Sequence, residues 1–338
     1  MGVKIKDLVE ENKKIITLDQ LKNKILVVDA FNMLYQFITT IRQADGTPLQ
    51  DEAGITSHLS GIIYRVTNIL SKGIKLIFVF ETESPELKRI TQMERKAKKQ
   101  EAIIKYELAK ESHEIEEMKR YAMESASLSA SMIEESKELL TALGCAIIEM
   151  PFEGEAIASQ IVKKGIGYAV VSQDYDSLLF GAKRLVRNLS ISQRRKEGEE
   201  YKKVDIELIE LDEILKKYNI NQDQLIVIGM LAGSDFTPGG VPGIGCKKAL
   251  KLIHEYGNNF DALFESIEWN KYYSYSWKDV FSLFKKEFEI PKIEFPHYDR
   301  TKVIKLLCEK HKFSQERIEK VLSEMEKENS QLSLNKWF

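Results

Sequence analysis

An α/β layered fold is what this sequence predicts, from three observations. Short β-branched apolar runs alternate with stretches of helical periodicity. Several of those runs end directly in an acid. A long charged helical stretch and a glycine-rich turn then interrupt the alternation, so part of the chain is a helical insertion and the later half is mainly helical.

The elements follow in chain order. Lys24-Ile25-Leu26-Val27-Val28 reads as a buried strand, as do the runs from Ile74 to Phe80, Ala146 to Glu149 and Tyr168 to Val171. Ser57 to Leu70 carries Leu59, Ile62, Ile63, Val66, Ile69 and Leu70 at helical spacing. Ile206 to Tyr218 and Gln222 to Leu231 also read as helices. Lys88 to Leu140 is nearly continuous helix former without Gly or Pro, with a net charge of +5 over Lys88–Lys110 and −5 over Glu111–Glu138. Such an insertion after a strand is either a solvated structural hairpin or a lid over a site. No period of 20 to 50 residues repeats, which argues against a solenoid.

Length and composition bound the rest. The chain has 338 residues, 43% apolar and 30% charged, enough for one large domain or two with a sizeable core. No apolar run reaches the roughly 18 residues of a membrane span. The first residues lack a signal-peptide core, and Lys6 stands where a myristoylation signal needs Ser or Thr. The expected setting is cytoplasmic, with no membrane partner. Cys145, Cys246 and Cys308 form no CxxC pair, and the five histidines form no HExxH pair. Any metal must be held by oxygen.

Acids at strand ends are the most informative feature. Asp29 follows Val27-Val28 and Glu81 follows Phe78-Val79-Phe80. Glu153 and Glu155 come just after Ile147-Ile148-Glu149, Asp174 and Asp176 just after Ala169-Val170-Val171, and Asp235 after the helix ending near Ala232. Ligands of open α/β sheets bind in the crevice beyond the carboxyl ends of the strands. Singly, such acids are ordinary turn and cap residues. Gathered, they would repel one another unless divalent cations compensated them, and an acid-only set suits Mg²⁺ or Mn²⁺ rather than zinc. Two such ions promote phosphodiester chemistry, a description open to phosphatases, polymerases and nucleases alike.

Charge points toward nucleic acid. The formal net charge is −2, and setting the seven acids aside turns it to +5. Eight basic residues against three acidic lie between Lys183 and Lys203, a patch suited to phosphate or simply a solvated face. Gly243-Ile244-Gly245, followed by Lys247, Lys248 and Lys251, reads as a helix–hairpin–helix contact, because glycines permit close backbone approach and a helix start presents free N–H groups. The plainer alternative is a turn that only starts a helix.

Four segments then carry a resemblance: Val27-Val28-Asp29-Ala30 with Tyr35-Gln36; Glu153-Gly154-Glu155-Ala156; Ser172-Gln173-Asp174-Tyr175-Asp176; and Gly233-Ser234-Asp235-Phe236 running into Gly243-Ile244-Gly245. In this order they resemble the flap endonucleases, structure-specific 5′ nucleases of replication and repair, and the archaeal ones most. The resemblance implies a mixed, mostly parallel central sheet flanked by helices, the 5′-nuclease or PIN-like fold. It implies a single domain over 1–323, with nuclease regions at about 1–87 and 137–235, a helical arch at about 88–136 and a DNA-binding helical region at about 236–323. Residues 324–338 would be a flexible tail.

The same resemblance assigns roles. Asp29, Glu81, Glu153, Glu155, Asp174, Asp176 and Asp235 would ligate two Mg²⁺ ions, for which Mn²⁺ could substitute, with Asp29 and Glu155 counted among the catalytic residues. Lys88 and Arg95 would meet the scissile phosphate. Tyr35 would stack on a nucleotide, and Arg42, Gly243, Gly245, Lys247 and Lys248 would contact DNA. The tail, with Gln331, Leu334, Trp337 and Phe338, fits the motif that binds a sliding clamp of the proliferating-cell-nuclear-antigen type, unless it folds back on its own domain. The implied activity is metal-dependent cleavage of 5′ flaps near the junction, with 5′–3′ exonuclease activity, by a monomer associated with the nucleoid. One departure matters: where the family reads Phe-Asp-Gly before paired prolines, this chain has Phe80-Glu81-Thr82-Glu83-Ser84-Pro85. A catalytically weakened junction-binding homologue is therefore an alternative, as is a ribonuclease on the same fold.

Overall fold

The computed structural model describes residues 2–43, 45–112, 114–190, 194–197 and 200–334. In chain order its principal strands are β1 (Lys13–Ile16), β2 (Ile25–Asp29), β3 (Lys75–Glu81), β4 (Ala146–Met150), β5 (Ala169–Val171), β6 (Arg184–Arg187) and β7 (Ile206–Glu210). The helices used below are α1 (Ala30–Thr40), α2 (Ser57–Gly61), α3 (Arg89–Glu111), α4 (Ile115–Glu124), α5 (Ala130–Ala142), α6 (Gly154–Lys163), α7 (Leu211–Tyr218), α8 (Gln222–Ala232), α9 (Cys246–Tyr256) and α10 (Gln315–Leu334).

The chain divides into two interleaved units, where the sequence suggests one domain with successive regions. The first comprises Met1–Thr17, Glu81–Gln92 and Met150–Pro291; the second comprises Leu18–Phe80, Met93–Glu149 and Lys292–Phe338. The first holds a mixed set of strands and the second a parallel pair, each with helices, in keeping with the expected class.

In the first unit the strands lie in the order β1–β7–β6–β5. β1 and β6 are antiparallel to β7, and β5 runs parallel to β6. β5 and the centre of β6 are buried. Every described side chain of α8 from Leu225 to Ala232 is buried, and the helix opens with a reciprocal cap between Asn221 and Gln224. α9 is one-sided: Ala249 and Ile253 are buried while Lys247, Lys248 and Lys251 are exposed.

In the second unit β2, β3 and β4 are neighbours in that order, with β2 and β3 parallel in the register Ile25↔Lys75 to Asp29↔Val79. Leu26, Val27 and Val28 are all buried, so the side chains on both faces of β2 are covered, as parallel strands require. α1 buries Met33, Leu34, Phe37 and Ile38, and α2 buries every residue, His58 included.

Three readings of the sequence change. Ile206 to Tyr218 is a strand followed by a helix, because Glu207, Leu208 and Ile209 pair with β1 and β6, partners distant in sequence. The long helical stretch divides into α3, α4 and α5; Ser129 caps α5 by accepting the Met132 N–H. Residues 324–334, expected to be part of a flexible tail, are helical. α10 runs on to Leu334, with Met325 buried and Glu328 paired to Lys72 at 2.8 Å. Among the described residues no helix is long and apolar enough to cross a membrane.

Candidate nuclease centre

Six of the seven predicted acids belong to the first unit, and each is placed by an element end. Glu81 closes β3, Glu153 directly precedes α6, and Glu155 lies in its first turn. Asp174 follows β5, and Asp176 opens the short helix Asp176–Leu179. Asp235 sits in the turn after α8, where Ser234 and Thr237 bond each other's backbones at 3.1 and 3.2 Å. Gly233 and Gly240 make that turn possible. Both have positive φ, and a Cβ on Gly240 would stand 2.6 Å from the Ala232 and Leu231 carbonyl oxygens.

Lys88 is the hub. Its ammonium is buried, donates to Glu153 Oε2, and lies 3.4 Å from Asp235 Oδ2. Burial works against its charge, but the carboxylates of Glu153, Glu81 and Asp235 outweigh burial and hold Lys88 well above the usual lysine range. Glu81 thus acts on the same group as Glu153 and Asp235. Thr91, one helical turn beyond Lys88, donates its hydroxyl to the Asp235 carbonyl at 2.7 Å.

Two of the acids, Glu153 and Asp176, are buried, and the other four are partly exposed. Burial, reinforced by Glu81 and Asp235, pushes the Glu153 carboxyl up to about 7 against the pull of Lys88. Burial raises Asp176 as well, and the charges of Asp235 and Asp174 raise it further. Glu155 Oε1 accepts the Ser172 hydroxyl, whose oxygen in turn accepts the Asp174 N–H at 3.2 Å.

The N-terminal segment completes this centre, and sequence reasoning missed it. The Val3 N–H donates to Asp176 Oδ2 at 3.0 Å, and the Lys4 N–H donates to the Gly233 carbonyl at 3.0 Å. A Cβ on Gly2 would stand 2.1 Å from Asp176 Oδ2 and 2.6 Å from Asp174 Cβ, so only glycine fits there. Neither contact has a local sequence signal, since each joins residues more than 170 positions apart.

The donor set fits a hard divalent cation. The donors are carboxylate oxygens, and Glu153 Oε1 is buried with no hydrogen-bond partner. Among the described residues, no three His, Cys, Asp or Glu side chains are already arranged to hold an ion. Lys88, Ser172 and Val3 instead occupy oxygens of Glu153, Glu155 and Asp176.

The other predicted residues are placed as follows. Asp29 belongs to the second unit, where it ends β2 and caps α1 by accepting the Asn32 N–H at 3.2 Å. Tyr35 lies on α1, its hydroxyl bonded by Lys99 at 3.2 Å and its ring 4.6 Å from that ammonium. Arg42 donates to the Gly46 carbonyl at 2.9 Å, so its guanidinium braces a loop. Arg95 is half-buried on α3. Gly243 has φ +76°, Gly245 precedes α9, and Lys247 and Lys248 are exposed on its first turn. Gln331 is exposed on α10 and Leu334 is its last residue, while Trp337 and Phe338 lie outside the described residues.

Comparison with known proteins bears on this arrangement. The XPG N-terminal domain matches residues 1–102 and the XPG I-region residues 144–235. Flap endonuclease 1 of Aeropyrum pernix is 43% identical over the full length of both chains. That of Pyrococcus furiosus is 40% identical over all of this chain and 99% of its own. The solved structure of flap endonuclease-1 from Methanococcus jannaschii matches with a TM-score of 0.75 and 35% identity, covering 98% of this chain and 99% of that one. The catalytic core of Rad2 in complex with a DNA substrate shares the fold, with a TM-score of 0.69 at 21% identity over 96% of this chain and 100% of that one. With acids from β3, α6, the β5 loop and the α8 turn set around one buried lysine, and with full-length relatives at this level of identity, the chain belongs to the flap endonuclease family of nucleases.

Proposed function

We propose that this protein cuts 5′ flaps from branched DNA near the junction, in replication and repair, and has 5′–3′ exonuclease activity. The observation that carries the reading is Lys88 buried against Glu153 and Asp235, within a set of acids whose charges exceed what one lysine balances. Glu81, Glu153, Glu155, Asp174, Asp176 and Asp235 would hold two Mg²⁺ ions, or Mn²⁺ in their place; Asp29, in the second unit, is given a metal-binding role by its motif alone. When bound, such ions lower the pKa of a water and offset charge on the departing oxygen.

The chain's own residues do the rest. Lys88 would steady charge on the phosphate oxygens, with Arg95 in the same role. Gly243 and Gly245 let a duplex backbone approach the start of α9, where Lys247 and Lys248 add phosphate contacts whose strength falls with salt. Tyr35 offers a ring for a nucleotide to stack on. Arg42, which also bonds the Gly46 carbonyl, would contact DNA. Gln331, Leu334, Trp337 and Phe338 would tether a single chain to a sliding clamp on the nucleoid.

The test is incubation of 5′-labelled flap duplex with the protein and Mg²⁺. Cleavage at the junction leaving a 5′ phosphate supports the reading. Tight junction binding without cleavage favours a second reading, a weakened homologue, which the Glu81-Thr82 sequence in place of Asp-Gly motivates.

A further inference from the structure

Arg187, the last residue of β6, belongs to the basic run between Lys183 and Lys203, yet only 20% of its side chain is exposed. Its guanidinium is spent inside the first unit. Nε donates to the Gln173 carbonyl at 3.0 Å, and Nη1 donates to the Tyr175 hydroxyl at 2.7 Å and to Glu207 Oε2 at 2.9 Å. The guanidinium also lies 4.4 Å from the centre of the buried Tyr175 ring, a cation–π contact. Gln173 and Tyr175 are the residues on either side of Asp174.

Sheet register brings these groups together. β7 sets Glu207 directly opposite Arg187 in the antiparallel ladder, and facing side chains of such a pair share one face of the sheet. Glu207 also accepts from Lys13 of β1, the outermost strand, at 3.0 Å, and Lys13 in turn bonds Glu10 at 2.6 Å. The carboxylate that balances Arg187 is therefore itself anchored. On the other side of β6, Val171 of β5 pairs with Val186, and the Ser172 N–H donates to the Val186 carbonyl at 3.3 Å. The loop that leaves β5 thus passes beside Arg187.

That loop needs support. The charges of Asp235 and Asp174 both act on Asp176, so the loop carries carboxylates that repel one another and a neighbour. Lys88, Ser172 and Val3 each bond a carboxylate oxygen of the centre. The bonds from Arg187 to the loop go instead to a backbone carbonyl and a phenol, and use no oxygen of Asp174 or Asp176. Arginine is the side chain that can do this: its donors lie in one rigid plane, whereas a lysine ammonium is a single point of charge that cannot span Gln173 and Tyr175 at fixed spacing. We propose that Arg187 is a positioning residue of the nuclease centre, one that holds the loop so that Asp174 and Asp176 present their carboxylates to a divalent cation. The inference rests on the reading that these acids bind such cations.

The experiment is Mn²⁺ binding by the full chain without DNA, followed by electron paramagnetic resonance, beside flap cleavage in Mg²⁺. Arg187→Lys keeps the charge and loses the fork. It should weaken Mn²⁺ binding about tenfold or more, the usual cost of losing a group that orients a metal ligand. Tyr175→Phe keeps the ring and loses one acceptor; it should weaken Mn²⁺ binding about three- to tenfold, with its circular dichroism unchanged. In both variants kcat should fall at low Mg²⁺ and recover as Mg²⁺ is raised. Wild-type Mn²⁺ affinity in both variants, whatever their stability, overturns the proposal; a raised KM for the flap would then make Arg187 a DNA contact. A wild-type chain that binds no Mn²⁺ overturns the cation reading itself, and this inference with it.

Discussion

Lys88 and Glu153 form a buried ion pair between the start of the long helical insertion and the start of α6, and that pair ties the acids of the centre to a single cation. Removing one partner leaves the other charge uncompensated in a dry site. Lys88→Met should therefore destabilise the fold by about 3 kcal/mol, and Lys88→Met/Glu153→Gln should recover part of that loss. Urea denaturation of the two single variants and the double variant checks both; equal losses in Lys88→Met and the double variant would show that the pair is not coupled.

Glu81 influences both Lys88 and Glu153, although its side chain is one methylene longer than the aspartate the family motif carries. If that length misplaces the carboxylate, Glu81→Asp should raise the cleavage rate, since an error near 1 Å costs on the order of 10²-fold. Asp174→Ala should abolish cleavage in the same assay. A slower Glu81→Asp enzyme would mean the site is built around the longer acid.

The fit of Gly2 against Asp174 and Asp176 predicts an effect far from any motif. Gly2→Ala must push the N-terminal segment off Asp176, at a cost of about 1–3 kcal/mol, and loosen the Val3 N–H bond to that carboxylate. Flap cleavage should fall more than thermal stability does. Unchanged kcat with lowered stability would assign the segment a packing role only.

A separate cluster in the second unit governs behaviour in acid. His58 is fully buried, and burial pushes it down from 6.5 to about 4, with Glu135 3.4 Å away acting in the opposite direction. Both ring nitrogens of the nearby His311 face carboxylates, Asp51 at 2.9 Å and Glu135 at 3.1 Å, and Lys310 also bonds Glu135. Because the folded state keeps His58 neutral while the unfolded chain protonates it near 6.5, its contribution is complete above that pH. It is lost as pH falls toward 4, up to about 3 kcal/mol. The difference in unfolding free energy between the wild type and His58→Asn should shrink by that amount from pH 7.5 to pH 4; a constant difference would remove His58 as the cause.

Much of this was readable before the structure because the signals are local. β2 to β5 appear as β-branched runs, and an acid directly after such a run falls at a sheet's carboxyl end whatever the wider topology. The glycine spacing at Gly243 and Gly245 likewise marks the start of α9. What stayed hidden depends on distant partners. Lys13–Ile16 is too short and too charged to read as a strand, and becomes one only by pairing with Ile206–Ile209. That same pairing makes Ile206–Glu210 a strand despite a helix-like composition. The bond from Arg42 to the Gly46 carbonyl, four residues on, is a local contact that no motif announces.

The claim that these carboxylates serve divalent cations in cutting a flap is tested most directly by titrating Mg²⁺ into the labelled flap assay, with wild type and Asp176→Asn side by side. Wild-type cleavage should rise from nothing to saturation and vanish with a chelator, while Asp176→Asn stays inactive or needs far more metal. Cleavage that persists in chelator, or an Asp176→Asn curve that overlays the wild type, would contradict the account.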